Sequence, residues 1–171
     1  LNVEYSVLYL IDRMMVYSDN TALWALSRNI PKLMVHETFT DIGIPNPFLV
    51  DEKDPQPGKL SAKQYAMMIK SLYNATYLDP AHSEMALRIL ARTKFDRGIR
   101  KVLPKGTTAA LKYGFWDGTA LHESGIVYLK DNPYLVCIFT FVTKEDVEKN
   151  LSLIRSLADV THKFFENLLE E

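Results

Sequence analysis

The chain reads as an α+β protein: a helical layer, then three antiparallel strands, then one long C-terminal helix. Two changes in apolar period carry this reading. Through about residue 106 the apolar residues recur at i+3 and i+4, the spacing of helices with one buried face. From residue 107 they give way to short runs rich in β-branched and aromatic residues, the mark of strands. A last stretch, residues 143–169, returns to the helical period. Helices segregated from an antiparallel sheet define the α+β class. The 171 residues suit one domain, residues 1–171, with a helical part over 1–106 and a sheet with its C-terminal helix over 107–171.

In order, residues 2–17 place Val3, Val7, Leu8, Leu10, Ile11, Met14 and Met15 on a broad apolar face, which predicts a buried helix. Ser18-Asp19-Asn20 ends it, since such residues compete for backbone hydrogen bonds and favour turns and caps. Asp19 or Asn20 then caps a helix over 21–29, which Pro31 closes. A short helix over 32–41 stops at Gly43. Residues 44–58 hold four prolines and a charge cluster, and read as a surface loop. Ser61-Ala62-Lys63-Gln64 is a capping box that opens a helix to about residue 74. Asp79-Pro80 supplies the N-cap and first residue of the next helix. Strands follow over 107–114, 122–130 and 134–142, with Asp131-Asn132-Pro133 as a hairpin turn. The third is apolar on both faces, which predicts a strand inside a sheet covered on both sides.

Composition excludes several classes. Twenty basic residues balance 21 acidic ones, with no basic stripe, which argues against nucleic acid as a partner. The single Cys137 lies in an apolar run and reads as a buried, inert thiol. The four histidines are scattered, so no metal site and no cofactor is expected. Trp24 reads as core, whereas Trp116 stands where it would line a cleft. The N-terminus enters a helix pattern directly, and the chain reads as a processed or truncated product.

Two short motifs bear on chemistry. Ser18-Asp19-Asn20 sits between two helices. Lys112-Tyr113-Gly114 opens a strand, its lysine interrupting the apolar Ala109-Ala110-Leu111 and its glycine leaving room for a ligand backbone. Leu103-Pro104-x-Gly106 precedes it, and His122-Glu123-Ser124-Gly125-Ile126-Val127 follows on the next strand. S-D-N followed by K-x-G in this layout resembles the class A β-lactamase-like and penicillin-binding serine hydrolases, DD-peptidases among them.

That resemblance implies an α+β fold, serine acyl transfer, and a β-lactam or peptidoglycan-type peptide as substrate. It also implies an extracytoplasmic location. It gives Ser18 a proton-relay role, Lys112 the supporting charge, and Asn20 a contact to the substrate amide. Tyr113, Gly114 and Phe115 form the substrate strand, Phe115 offering a backbone N–H to the oxyanion hole. Asp19 would bind the turn. Ser18 Oγ and Lys112 Nζ are expected within roughly 3–5 Å of each other.

Three departures stand out. The nucleophile motif S-x-x-K occurs nowhere in the 171 residues, so an N-terminal segment of the same protein is the expected partner, and the chain alone is expected to be inactive. Tyr113 replaces the usual threonine or serine hydroxyl. The loop over 44–58 offers only Glu52, in an unmatched charge cluster, and Glu37 fits less well, so efficient β-lactam turnover is not expected. The competing reading is a non-catalytic binding or assembly domain that keeps the fold.

Overall fold

Helix α1 (Val7–Tyr17) begins where the Ser6 hydroxyl accepts the Tyr9 N–H. The Ser6 cap sets this start, so the helix begins later than the apolar pattern implies. The computed structural model describes residues 3–45, 59–116, 119–141, 143 and 146–168. It divides into two units, Leu1–Ile89 and Leu90–Glu171.

The first unit is helical. After α1 come α2 (Asn20–Asn29), α3 (Lys32–Ile42), α4 (Ala62–Tyr73) and α5 (Pro80–Ala91). α1 packs on α2, and α3 on α4. Gly43, in the left-handed region at φ 79°, ends α3. The capping box of α4 is formed in full: Gln64 N–H donates to the Ser61 hydroxyl, and Ser61 N–H to the Gln64 side chain. Asp79 accepts from the His82 N–H at 2.9 Å and so caps α5.

The expected broad buried face of α1 is not observed. Val16 is its buried residue, whereas Val7, Leu8 and Tyr9 are exposed. Trp24, expected in the core, is 62% exposed, because α2 buries Ala22 and Leu26 instead. The loop residues 46–58, with Glu52, lie outside the described residues.

The second unit is a sheet and the helix packed on it. Strands β1 (Thr108–Trp116), β2 (Ala120–Tyr128) and β3 (Tyr134–Phe141) form an antiparallel sheet in that order. The predicted strands are right in number and pairing, with ends shifted by up to two residues. Asp131, at φ 65°, makes the β2–β3 turn. Helix α6 (Val147–Asn167) starts four residues later than expected, and ahead of it the Thr143 hydroxyl donates to the Asp146 carboxylate at 2.8 Å.

One face of the sheet carries Ala109, Leu111, Leu121, Val127, Tyr134, Val136 and Ile138. It packs against Leu151, Ile154 and Ala158 of α6 and against Ile99. Each fully buried aliphatic side chain there contributes roughly 1.5–3 kcal/mol. Ile99 lies in a single 3-10 turn, Ile99–Lys101, so the stretch before β1 belongs to the sheet's core. The division between the two units falls at residues 89 and 90. β3 is also not the interior strand that its composition predicts. Within the described residues β2 is central, and β3 alternates buried with half-buried residues to an exposed Phe141.

Candidate functional site

The turn between α1 and α2 is built by its own residues. Ser18 adopts a left-handed conformation (φ 55°, ψ 40°), which costs a non-glycine residue about 1 kcal/mol. The Asp19 N–H returns to the Arg13 carbonyl at 3.2 Å, closing the helix end. One Asp19 carboxylate oxygen accepts from the Thr21 and Ala22 amides, at 2.9 and 3.2 Å. The other takes the Arg13 guanidinium at 3.2 Å. The Ala22 amide first of all, with Arg13 and Thr21, holds the Asp19 carboxyl below its ordinary pKa. Asp19 is therefore the N-cap of α2, and its carboxylate is committed to the turn. Asn20, the first residue of α2, is exposed, and Ser18 is half-buried.

The second unit holds the lysine strand. Lys112 lies half-buried on β1. Its Nζ donates to the Tyr113 carbonyl at 2.9 Å and stands 4.6 Å from the centre of the Tyr113 ring. Partial desolvation lowers its pKa. Lys112 is the one lysine or arginine in the three strands. The Tyr113 ring stacks on Phe95, 4.1 Å between centroids and 19° between planes. Its bulk is accommodated by an aromatic partner, and no aliphatic alcohol stands beside Gly114 on this strand.

A Cβ placed on Gly114 would meet nothing within 4 Å, so the chain's own packing does not require glycine there. Phe115 and Trp116 are both exposed, Trp116 at 72%. Register places Lys112 opposite Ser124 and Gly114 opposite His122. On β3, Ser124 faces Cys137 and His122 faces Phe139. Since paired residues share a face, two neighbouring rows line one side of the sheet: Lys112-Ser124-Cys137 and Gly114-His122-Phe139. Cys137 is half-buried, and burial raises its pKa, so its thiol stays protonated near neutral pH.

Sequence reasoning missed how deeply the acid next to His122 is buried. Glu123 is 1% exposed, on the α6 side of the sheet. Its Oε2 accepts the Ile99 N–H at 2.7 Å. Gly98 makes this approach feasible, because a Cβ there would lie 1.8 Å from that oxygen. Burial pushes the Glu123 carboxyl up to about 7, with the Ile99 amide and Arg100 opposing. The available signal was an acid inside an otherwise strand-like apolar run, preceded by an isolated glycine at 98.

Ser18, Asp19 and Asn20 belong to the first unit, and Lys112 to Phe115 to the second. Among the described residues no group of three His, Cys, Asp or Glu side chains is placed to hold a metal, and no helix is long and apolar enough to cross a membrane.

The model of the "Beta-lactamase enzyme family" matches residues 1–165. Among solved structures, PBP-A is similar at 24% identity and a TM-score of 0.80, over 97% of this chain and 63% of that one. A PBP-A mutant solved as its acyl-enzyme complex with penicillin-G gives 23% identity and a TM-score of 0.81, over 97% and 64%. The TLA-3 extended-spectrum beta-lactamase gives 19% identity and a TM-score of 0.83, over 95% and 66%. The chain thus spans less than two thirds of the first two. None of the curated proteins matches it in sequence.

Proposed function

Because the chain belongs to the beta-lactamase enzyme family, a family of serine hydrolase fold, we propose that it is the larger part of an acyl-transfer hydrolase for β-lactam or peptidoglycan-type peptide amides. The observation that carries this reading is the lysine strand: a desolvated ammonium beside an open glycine on β1. The serine nucleophile would come from an S-x-x-K in an N-terminal segment of the same protein. Coverage of 63% of PBP-A and the exposed apolar residues of α1 and α2 support such a segment. An extracytoplasmic location goes with this substrate class.

In the proposed reaction the serine oxygen attacks the amide carbonyl and the C–N bond breaks. The serine proton passes through Ser18 to the leaving nitrogen, and water then hydrolyses the ester and restores the serine. Lys112 supports the relay and the anionic substrate. Asn20 contacts the substrate amide, while Gly114 and the Phe115 amide form the strand side of the oxyanion hole. The relay requires Ser18 Oγ and Lys112 Nζ within roughly 3–5 Å, directly or through one water.

A fluorescent penicillin tests the proposal. The 171-residue chain is expected to form no adduct. A protein that includes the S-x-x-K segment is expected to label and to release the label slowly, since Glu52 is poorly suited to activate water, and base assistance is worth roughly 10²–10⁴ in rate. Lys112→Ala should abolish labelling. Labelling of the 171-residue chain, or rapid turnover of a chromogenic cephalosporin, would refute the respective claims. A second reading, a binding or assembly domain without catalysis, draws on Tyr113, whose ring is engaged with Phe95. Failure of the longer protein to label would favour it.

A further inference from the structure

The lysine strand is tied to a buried acid that the proposed reaction does not use. Glu123 pairs with Tyr113 across the β1–β2 ladder, and its β3 partner Ile138 belongs to the core under α6. Its Oε2 accepts the Ile99 N–H, whereas Oε1 is buried with no hydrogen-bond partner among the described residues. Arg100, the next residue after Ile99, is in the complementary state. One of its guanidinium nitrogens donates to the Ala109 carbonyl at 2.9 Å, and its buried Nε has no acceptor among the described residues. Folded proteins rarely leave such groups unmatched. Both groups touch the lysine strand, Glu123 opposite Tyr113 and Arg100 at Ala109, three residues ahead of Lys112.

The surroundings leave Arg100 as the natural counter-ion. Strand alternation puts Lys112 and His122 on the other face of the sheet. From α6 come the apolar Leu151, Ile154 and Ala158. The charged residues that α6 brings to the segment before β1, Glu148 and Arg155, are engaged with Arg97. Glu148 takes the Arg97 and Arg155 guanidinium groups at 2.9 and 2.8 Å, and Arg155 also donates to the Arg97 carbonyl. The charge that acts on the Glu123 carboxyl is that of Arg100.

A neutral Glu123 needs no counter-ion, and the guanidinium rests on the Ala109 carbonyl. An ionised one places an unpaired charge in the core, which is costly. A charge-assisted bond from guanidinium to carboxylate is stronger than one to a peptide carbonyl, so the balance then reverses. Burial holds the proton up to about pH 7, and pairing with Arg100 draws that midpoint down.

We propose that Glu123 and Arg100 form a proton-operated switch on the lysine strand: Arg100 holds the Ala109 carbonyl while Glu123 is neutral, and turns to the Glu123 carboxylate once that proton is lost to solvent. The start of β1 is thereby held in two ways, on either side of a proton loss that no ligand is needed to trigger. The switch stands whether or not the strand serves acyl transfer.

The test uses the 171-residue chain, labelled with ¹³C and ¹⁵N and followed between about pH 4.5 and 8.5, a span that brackets the ordinary and the raised glutamate values. The Glu123 side-chain carboxyl signal is expected to titrate well above 4.5. The Arg100 Nε–H and the Ala109 carbonyl signals are expected to move with the same midpoint. Glu123→Gln keeps an oxygen for the Ile99 N–H and stays neutral, so both signals should stop responding to pH. Arg100→Gln should raise the Glu123 midpoint, because the ionised form loses its partner. A Glu123 midpoint at the ordinary value overturns the proposal. So does a raised midpoint that Arg100 and Ala109 do not follow, which would leave a buried acid and no switch. An Ala109 response that survives in Glu123→Gln overturns it as well. Should either variant fail to fold, the wild-type titration still decides, since it reads all three groups in one chain.

Discussion

At the scale of single residues, Glu123 makes the sharpest claim. Its folded pKa of about 7 stands above the ordinary glutamate value of 4.5, so the folded chain binds this proton more tightly than the unfolded chain does. The resulting stabilisation is complete below about pH 4.5 and is lost as pH rises through 7. The shift corresponds to about 3 kcal/mol. His122 works the other way: its lowered pKa removes stability as pH falls through the ordinary histidine range. The difference between wild type and Glu123→Gln therefore isolates the acid. Urea melts from pH 4.5 to 8 should show the variant gaining on wild type as pH rises, and parallel curves would contradict the assignment. Gly125 is less forgiving than Gly98, because a Cβ there would lie 1.9 Å from the Ala110 carbonyl oxygen, on backbone that cannot swing aside. Gly125→Ala should fail to give a cooperative melt. Neither role is legible in the sequence. It marks His122 to Val127 as one block, and strand alternation puts His122 and Glu123 on opposite faces, but only the packing against α6 tells which face is buried.

At the scale of elements, the legible features are those set by neighbours in sequence. The α4 capping box, the Asp79 cap and the turn at Asp131 follow from residues within four positions of one another, and all three form. Ser61→Ala should accordingly cost about 1 kcal/mol in a chemical melt. Features set by distant packing are not legible. Periodicity tells which side of α2 is apolar but not that Trp24 stays outside, and it tells that β3 is apolar on both sides but not that β2 is central. Helix α6 shows the same limit. Its apolar residues read correctly as the packing face, yet His162 is buried there too, its Nδ1 3.0 Å from the Tyr134 hydroxyl. That contact joins the start of β3 to the last turns of α6, and Phe165 stacks on the same tyrosine at 4.5 Å. Tyr134→Phe keeps the stack and removes the hydroxyl, so a loss of roughly 1–3 kcal/mol would measure the buried hydrogen bond alone. No loss would mean that the imidazole finds another partner.

At the scale of the whole molecule, the two motifs that carry the functional reading lie in different units, and the sequence linked them through resemblance, since nothing local joins residue 18 to residue 112. What the chain leaves uncovered is a physical question with a measurable answer. Val7, Leu8, Tyr9, Leu23, Trp24, Leu33 and Met34 are exposed on three successive helices, and Phe141 is 89% exposed at the end of an edge strand. Apolar surface of this kind rarely stays bare, since contiguous patches on monomers seldom exceed about 300–600 Å², and an unpaired strand edge adds open backbone groups. The expected consequence is self-association of the 171-residue chain, seen as a sedimentation coefficient that rises with concentration, together with strong binding of a hydrophobic dye. Co-expression with the proposed N-terminal segment should suppress both, because the segment would occupy the same surface. Trp24→Lys on the isolated chain should lower dye binding without altering the sheet, whose core lies in the other unit. A 171-residue chain that sediments as a monomer at all concentrations and binds no dye would show that these helices need no cover, and the proposed segment would lose its structural support.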